Sequence, residues 1–212
     1  MRWMLTVVAL AGCGRSGVYG ATTLVSTADA GLSQAPGSCS RPCSAPEGAL
    51  DSSTGTGVVL HWETCRGCIA LTLDPRLQTT TAELDRAAQA WATATLCFKP
   101  ARLDGQAPMP PSDQRIHLSA LEKTGVDQPY FTSSTINYVQ QSGAIINASA
   151  LAALDYPLTP RHLVQLVGRG LGYAPTRGES VMNEYVEGPA TLTAGDRQVH
   201  ERLYGAPPAC ER

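Results

Sequence analysis

The sequence predicts an α+β domain over residues 57–212. Two short apolar runs at 58–62 and 69–73 are bounded by turn residues, which is typical of strands. Residues 80–95 and the segment that begins at Thr159 instead repeat apolar side chains at helical spacing. Strands and helices in this order indicate a sheet with helices packed against it.

Length and composition support one domain and argue against some partners. The chain has 212 residues, 43% of them apolar, enough for one core once an N-terminal tail is discounted. Charged residues make up only 16% of the chain and the net charge is −2, without a basic run. We therefore expect no nucleic-acid partner.

Local signals place the remaining elements. Thr80 and Glu83 have the spacing of a capping box at the start of the first helix. Thr193 and Asp196 predict the start of a last helix, which closes in Leu203-Tyr204-Gly205. Further strands are predicted at 96–98, 115–118 and 144–147, a proline-rich loop at 108–111, and residues 122–141 carry no clear pattern.

The helix that begins at Thr159 is the centre of the sequence. Thr159 is a suitable N-cap, and Pro160 fits the first turn because its missing N–H would have no partner there. Arg161, Gln165 and Arg169 recur every four residues as a polar stripe, and apolar residues cover most of the rest of the helix. Gly170 and Gly172 then predict its end.

This helix, its Gly-x-Gly exit, Tyr173 and the following Ser180-Val181-Met182-Asn183 resemble the active-site region of metzincin metallopeptidases, in particular matrixins. The family motif is HExxHxxGxxH, followed by a methionine turn. The resemblance covers roughly residues 57–205. It implies a twisted mixed sheet, a long packing helix, a second helix at the former active site, a Met-turn and a C-terminal helix.

The residues that carry the family's chemistry are all replaced. With Gly170 on the motif glycine and Met182 on the Met-turn methionine, the zinc ligands fall on Leu163, Val167 and Tyr173 and the general base on Val164. Zinc needs imidazoles at i and i+4, and its water needs a carboxylate base. The resemblance therefore implies no zinc cofactor and no catalytic residue at these positions. Leu163, Val164 and Val167 are then core residues, and Met182 a hydrophobic base.

The N-terminus resembles a bacterial lipoprotein signal peptide over residues 1–13. An apolar run from Trp3 to Ala11 leads into Leu10-Ala11-Gly12-Cys13, with cleavage before a lipidated Cys13. Gly14 is not the Asp that commonly retains lipoproteins in the inner membrane, so we expect the outer membrane. The alternative is an N-terminus that is merely apolar. Residues 14–56, rich in Gly, Ser and Pro, predict a flexible tether.

Six other cysteines follow, an even number that favours disulfides in an exported chain. They are Cys39, Cys43, Cys65, Cys68, Cys97 and Cys210. Fifteen pairings are open for six cysteines. A metal site built from Cys39, Cys43, Cys65 and Cys68 is the alternative, because the second pair has zinc-knuckle spacing.

Three functions remain open from the sequence. The first is a lipid-anchored, non-catalytic pseudo-peptidase that at most binds polypeptide in the former cleft. The second is an active zinc metallopeptidase with non-standard ligands, drawn from His61, His117, His162 and His200. His162 is adjacent to the first ligand position but is rotated by about 100° from it on a helix, so we expect it to face solvent. The third is a structural envelope lipoprotein.

Overall fold

In the described part of the chain, seven strands follow one another across a mixed sheet, and an eighth pairs with one of them. The structure is a computed structural model that describes residues 5–7, 22–27, 58–106, 114–121, 132–140, 142–154, 157–176, 178–183 and 190–205. The strands are β1 Leu5–Val7, β2 Thr22–Thr27, β3 His61–Trp62, β4 Ala70–Leu73, β5 Arg102–Leu103, β6 Arg115–Leu121, β7 Thr132–Val139 and β8 Ala144–Ala153. The helices are α1 Thr81–Gln89, α2 Pro160–Gly170 and α3 Ala194–Tyr204, with a 3-10 turn at Thr64–Arg66.

The strand directions are mixed. In the order β1-β2-β7-β8-β6-β4-β5, the pairs from β8 to β5 are all parallel, whereas β7 runs antiparallel to β8. The strand β2 is parallel to β7, β1 is antiparallel to β2, and β3 adds beside the start of β8. Helices and a mixed sheet confirm the predicted α+β class.

The helices start where the sequence predicts. Thr80 and Glu83 form the expected capping box at α1, and Thr193 and Asp196 form another at α3. The helix α2 packs on α1 and against β6, β7 and β8. Gly170 permits this contact, because a Cβ at that position would lie 2.5 Å from Cγ2 of Ile116. Gly170 therefore serves close packing, and only Gly172, at φ 95°, adopts the left-handed conformation that ends the helix.

The first helix is shorter than predicted. It ends at Gln89 and not near residue 95, so Trp91 lies in the chain that follows it, at 0% exposure. The hydroxyl of Thr93 accepts the backbone N–H of Leu96 at 3.0 Å and donates to the carbonyl oxygen of Tyr204. Such a side chain offers the backbone an alternative to helical hydrogen bonds.

Residues 14–56, predicted as a flexible tether, contain the described strand β2. Thr22–Thr27 pairs with β7 along its whole length, and Leu24 is buried in the core at 7% exposure. The strand is short and rich in Ser and Thr, so it lacks the alternation of apolar and polar side chains by which a strand is recognised in a sequence. Its position in the sheet depends instead on backbone pairing with β7. The strand β1 lies within the predicted signal peptide. The rest of residues 14–56, including Cys39 and Cys43, lies outside the described residues, as do Cys13 and Cys210.

Other strands also differ in extent. Residues 122–141, which carried no clear pattern, contain β7, and β8 continues to Ala153. Both strands are rich in residues that sequence patterns rarely assign to a buried sheet, such as Ser, Thr, Asn and Ala. Residues 96–98 contribute only a bridge between Phe98 and Ile69. The proline-rich stretch 108–111 lies outside the described residues.

Among the described residues the expected use of cysteines is confirmed by a disulfide between Cys68 and Cys97, a pairing that the sequence left open. It joins the chain just before β4 to the chain that follows α1. A cysteine in a disulfide has no thiolate to offer a metal, so the alternative four-cysteine zinc site lacks Cys68. The side chain of Cys65 is not among those described.

Candidate functional site

The start of α2 fixes its orientation. The Thr159 hydroxyl accepts the N–H of His162 at 3.3 Å, and Nδ1 of His162 accepts the N–H of Thr159 at 3.2 Å. This places His162 in the capping box and half-buried, where we expected a solvent-facing ring. Burial, and next the charge of Arg161, lower the pKa of His162. The imidazole serves the helix end and is used there as an acceptor.

The four positions assigned to zinc chemistry are inside the core. Leu163 is 1% exposed, Val164 2%, Val167 0% and Tyr173 1%. All four belong to one hydrophobic cluster that also contains Met182 and Trp91. Burial of an aliphatic side chain of this size stabilises a fold by about 1.5–3 kcal/mol. These side chains therefore hold α2 in place.

Trp91 connects α2 to the segment after it. Its indole N–H donates to the carbonyl oxygen of Val164 at 2.8 Å, and its ring stacks on Tyr173 with centroids 5.2 Å apart. A Cβ at Gly168 would lie 2.6 Å from both the Trp91 ring and Sδ of Met182. The indole thus packs against the backbone at the general-base position and against the side chain at the third ligand position.

Tyr173 is held by a buried hydrogen-bond chain. Its hydroxyl lies 2.7 Å from Nδ1 of His200, and Nε2 of His200 lies 2.6 Å from the carbonyl oxygen of Trp91. A carbonyl can only accept, so Nε2 carries the proton and Nδ1 accepts the Tyr173 O–H. Burial lowers the pKa of His200 to about 4 and raises that of Tyr173. The pair is neutral near pH 7, and both imidazole nitrogens are engaged.

The turn that contains Met182 is held from α3. Asp196, at 0% exposure, accepts the Ser180 hydroxyl at 2.6 Å, the Val181 N–H at 2.8 Å and the Thr193 N–H at 3.0 Å. Three donors on one buried carboxylate satisfy most of its hydrogen-bonding capacity. Met182 is consequently fixed beneath α2 at 1% exposure.

The polar stripe of α2 holds the same turn from the other side. Nε2 of Gln165 donates to the carbonyl oxygens of Val181 at 2.8 Å and Asn183 at 3.0 Å. The guanidinium of Arg161 donates to Asn183 at 3.1 Å and Ser180 at 3.3 Å. Arg169 is 1% exposed, so the stripe lies against protein along most of its length. The spacing of the stripe was visible in the sequence, but its partners were not.

The histidines do not assemble into a metal site in the described part of the chain. His117 Nδ1 lies 2.8 Å from the Thr72 hydroxyl, and His61 Nδ1 lies 3.1 Å from the carbonyl oxygen of Val59. No group of three or more His, Cys, Asp or Glu that could hold a metal occurs among the residues described. The geometry around α2 can support packing and hydrogen bonding, and the residues present do not fit a bound zinc ion.

A surface depression of about 440 Å³ lies elsewhere, between the end of α3 and the chain after α1. It is lined by Ala92, Thr93, Ala94, Glu201 and Gly205. None of the positions assigned to zinc chemistry contributes to it. Its lining combines methyl groups, one hydroxyl and one carboxylate, a set without convergent polar groups that would specify a ligand.

Comparison with known proteins does not place the chain in a family. No protein-family model matches this sequence, and no curated protein matches it either. Within the described residues, no helix has the length and apolar character required to cross a membrane.

Proposed function

We propose that this chain is a lipid-anchored envelope protein whose domain has a matrixin-like fold without metallopeptidase chemistry. The observation that carries the proposal is the burial of hydrocarbon at the functional positions. Leu163, Val164 and Val167 are no more than 2% exposed and belong to the core cluster. A zinc centre needs imidazoles on one helical face and an open coordination position for water.

The third ligand position supports the same proposal through a different contact. Tyr173 is stacked on Trp91 and its hydroxyl is engaged by His200. A phenol so placed would have to break a buried hydrogen bond to approach a metal, which costs about 1–3 kcal/mol. Tyr173 therefore acts as a structural side chain.

The architecture is consistent with a matrixin-like domain. A mixed sheet precedes α2, Gly172 turns the chain at the end of that helix, and Met182 lies buried beneath α2. The helix α3 follows and ends at Leu203-Tyr204-Gly205. The retained turn is explained by its hydrogen bonds to Asp196 and Gln165, which need no metal. Any ligand of such a domain would be a polypeptide in the former cleft.

Zinc content and peptidase activity test the catalytic part of the proposal. The purified protein is incubated with zinc, dialysed and analysed for bound metal, and then assayed on casein beside an active matrixin. We expect no tightly held zinc and no cleavage. One zinc per chain together with casein cleavage would mean an active metallopeptidase with ligands outside those identified.

Membrane attachment is tested separately at Cys13. We expect the native chain to incorporate a lipid label and to fractionate with the outer membrane. The variant Cys13→Ala should lose the label. A Cys13→Ala protein that keeps both the label and the membrane fractionation would exclude Cys13 as the anchor.

A further inference from the structure

The outer side of β2 is covered by the short strand β1. On one side β2 pairs with β7, and on the other Leu24–Ser26 pairs antiparallel with Leu5–Val7. The N–H and C=O groups on this second side of β2 therefore face a strand that lies within the predicted signal peptide. Cleavage before Cys13 would remove β1 and leave those backbone groups without it.

The sequence of β2 does nothing to protect such an edge. Its six residues are Thr22-Thr23-Leu24-Val25-Ser26-Thr27, with no proline and no charged side chain. Natural edge strands are commonly blunted by Lys, by Pro or by a bulge, because an open edge templates pairing with another strand. Pairing between β2 and β7 is continuous over all six residues, without a register shift. The uncovered edge is thus regular and pairing-competent.

The anchor would place this edge close to the membrane. Only residues 14–21, eight in number, separate Cys13 from β2. Eight residues span at most about 30 Å when fully extended. Anchored copies would present their β2 edges at the same height above one surface, and such confinement raises the effective concentration of one edge for another.

We propose that removal of the signal peptide turns the β2 edge into an interface between two copies of this chain. The proposal rests on the lipid anchor proposed above. The strand β1 shows that the edge accepts an antiparallel partner, and antiparallel pairing is what a two-fold axis normal to the sheet generates. Such an axis keeps the helix-covered faces of the two sheets on the same side. Side chains that lie opposite each other across the axis must then point to the same face, so their residue numbers are both even or both odd.

The two-fold axis must therefore pass beside a single residue, which then faces the same residue of the second copy. Near the middle of β2 two such residues are available. Either Leu24 lies opposite Leu24 of the second copy, or Val25 lies opposite Val25. Leu24 points into the core, whereas Val25 is partly exposed. A six-residue pairing is small for a stable interface, so the dimer forms on the membrane and not at low concentration in solution.

Cysteine cross-linking in intact cells tests this interface. Val25→Cys places the two thiols opposite each other in the Val25 register and about 8 Å apart at Cα in the Leu24 register, so a short bismaleimide cross-linker is used to join the copies in either case. Leu103→Cys is the matched control, because Leu103 lies on β5 at the opposite edge and is 61% exposed. We expect at least about fivefold more covalent dimer from Val25→Cys, as confinement favours the specific pair over random collision. In the Cys13→Ser background β1 stays attached, and the dimer should fall to the control level.

The outcomes separate this inference from the anchor itself. Equal cross-linking of the two variants, or no Val25→Cys dimer from a chain whose mature N-terminus is lipidated Cys13, overturns the interface and leaves the anchor standing. If mass spectrometry shows that Cys13 is not the N-terminus, the anchor proposal fails. A protease site introduced between β1 and β2 then opens the edge in the purified full chain. Sedimentation before and after cutting must show mass doubling at high concentration for the interface to survive.

Discussion

The two faces of α2 use their side chains in opposite ways. On one face Leu163, Val164 and Val167 pack into hydrocarbon at the positions assigned to zinc chemistry. On the other, Arg161 and Gln165 donate hydrogen bonds to the carbonyl oxygens of the turn at 180–183. The turn beneath α2 is therefore held by hydrogen bonds from both sides, from α2 and from Asp196 of α3. These contacts hold it without any metal ligand among the residues involved.

Introducing histidines at the three assigned ligand positions should have the largest effect on stability. In Leu163→His/Val167→His/Tyr173→His, three polar rings enter a packed core and the Tyr173–His200 bond is lost. We expect the metal-free protein to lose at least about 5 kcal/mol of unfolding free energy. Zinc should restore part of it, because a ligand that binds only the folded state stabilises that state. Thermal unfolding with and without zinc measures both changes.

A matched variant distinguishes zinc binding from better packing. The control is Leu163→Gln/Val167→Gln/Tyr173→Gln, which introduces polar groups of similar size that do not bind zinc. Its melting temperature should therefore be the same with and without zinc. Casein cleavage should stay absent from the triple-His protein until Val164→Glu supplies a base. A folded triple-His protein whose melting temperature also ignores zinc would show that the register with Gly170 and Met182 is wrong.

Removing the Asp196 carboxylate, which holds the turn at 180–183, should cause the second-largest loss of stability. Asp196→Ala leaves the Ser180 hydroxyl and the N–H groups of Val181 and Thr193 without their acceptor at a site with 0% exposure. We expect a loss of about 3–5 kcal/mol in unfolding free energy, measured by urea denaturation. Glu201→Ala, at an exposed position on the same helix, should change stability by no more than about 0.5 kcal/mol. Similar losses from both would exclude a special role for Asp196.

The comparison also shows what the sequence could and could not predict. Caps and helix periodicity are local, so the starts of α1, α2 and α3 and the apolar face of α2 were predictable from Thr80, Thr159 and Thr193. The partners of Gln165 and His200 lie far along the chain and leave no periodic signal. The strand β2 was missed for the same reason, since backbone pairing with β7 does not depend on side-chain pattern.

Unfolding at acid pH should test the buried hydrogen-bond chain that runs from Tyr173 through His200 to the Trp91 carbonyl. The pKa of His200 falls from 6.5 to about 4 on folding, so between these values the unfolded chain binds a proton that the folded chain does not. Stability due to His200 is therefore complete above pH 6.5 and is lost as the pH falls toward 4, by about 3 kcal/mol in all. The variant His200→Gln should remove this part of the pH dependence of unfolding.

The control for this pH effect lies at the start of α2. His162→Gln keeps a side chain suited to a capping box. It removes an imidazole that is only half-buried, whereas the His200 ring is buried at 2% exposure. Its stability profile should remain close to that of the unaltered protein between pH 4 and pH 6.5. If the two variants flatten the profile equally, His200 is not the dominant group.

The smallest effect concerns the coupling between the two donors on the polar face. Arg161 and Gln165 share the carbonyl oxygen of Asn183, so either can still satisfy it when the other is removed. Arg161→Ala should cost about 1 kcal/mol, since the Ser180 carbonyl oxygen keeps the Asn183 N–H as a donor. Gln165→Leu should cost somewhat more, because the carbonyl oxygen of Val181 then loses its Gln165 donor. The double variant should lose about 0.5–1 kcal/mol more than the two single losses together, since only then does the Asn183 carbonyl lose both of these donors. Urea denaturation of all four proteins gives the coupling. If the free-energy losses of the two single variants simply add, the turn at 180–183 relaxes so that water satisfies its carbonyl oxygens. The polar face of α2 would then position this turn less firmly than the apolar face holds the core.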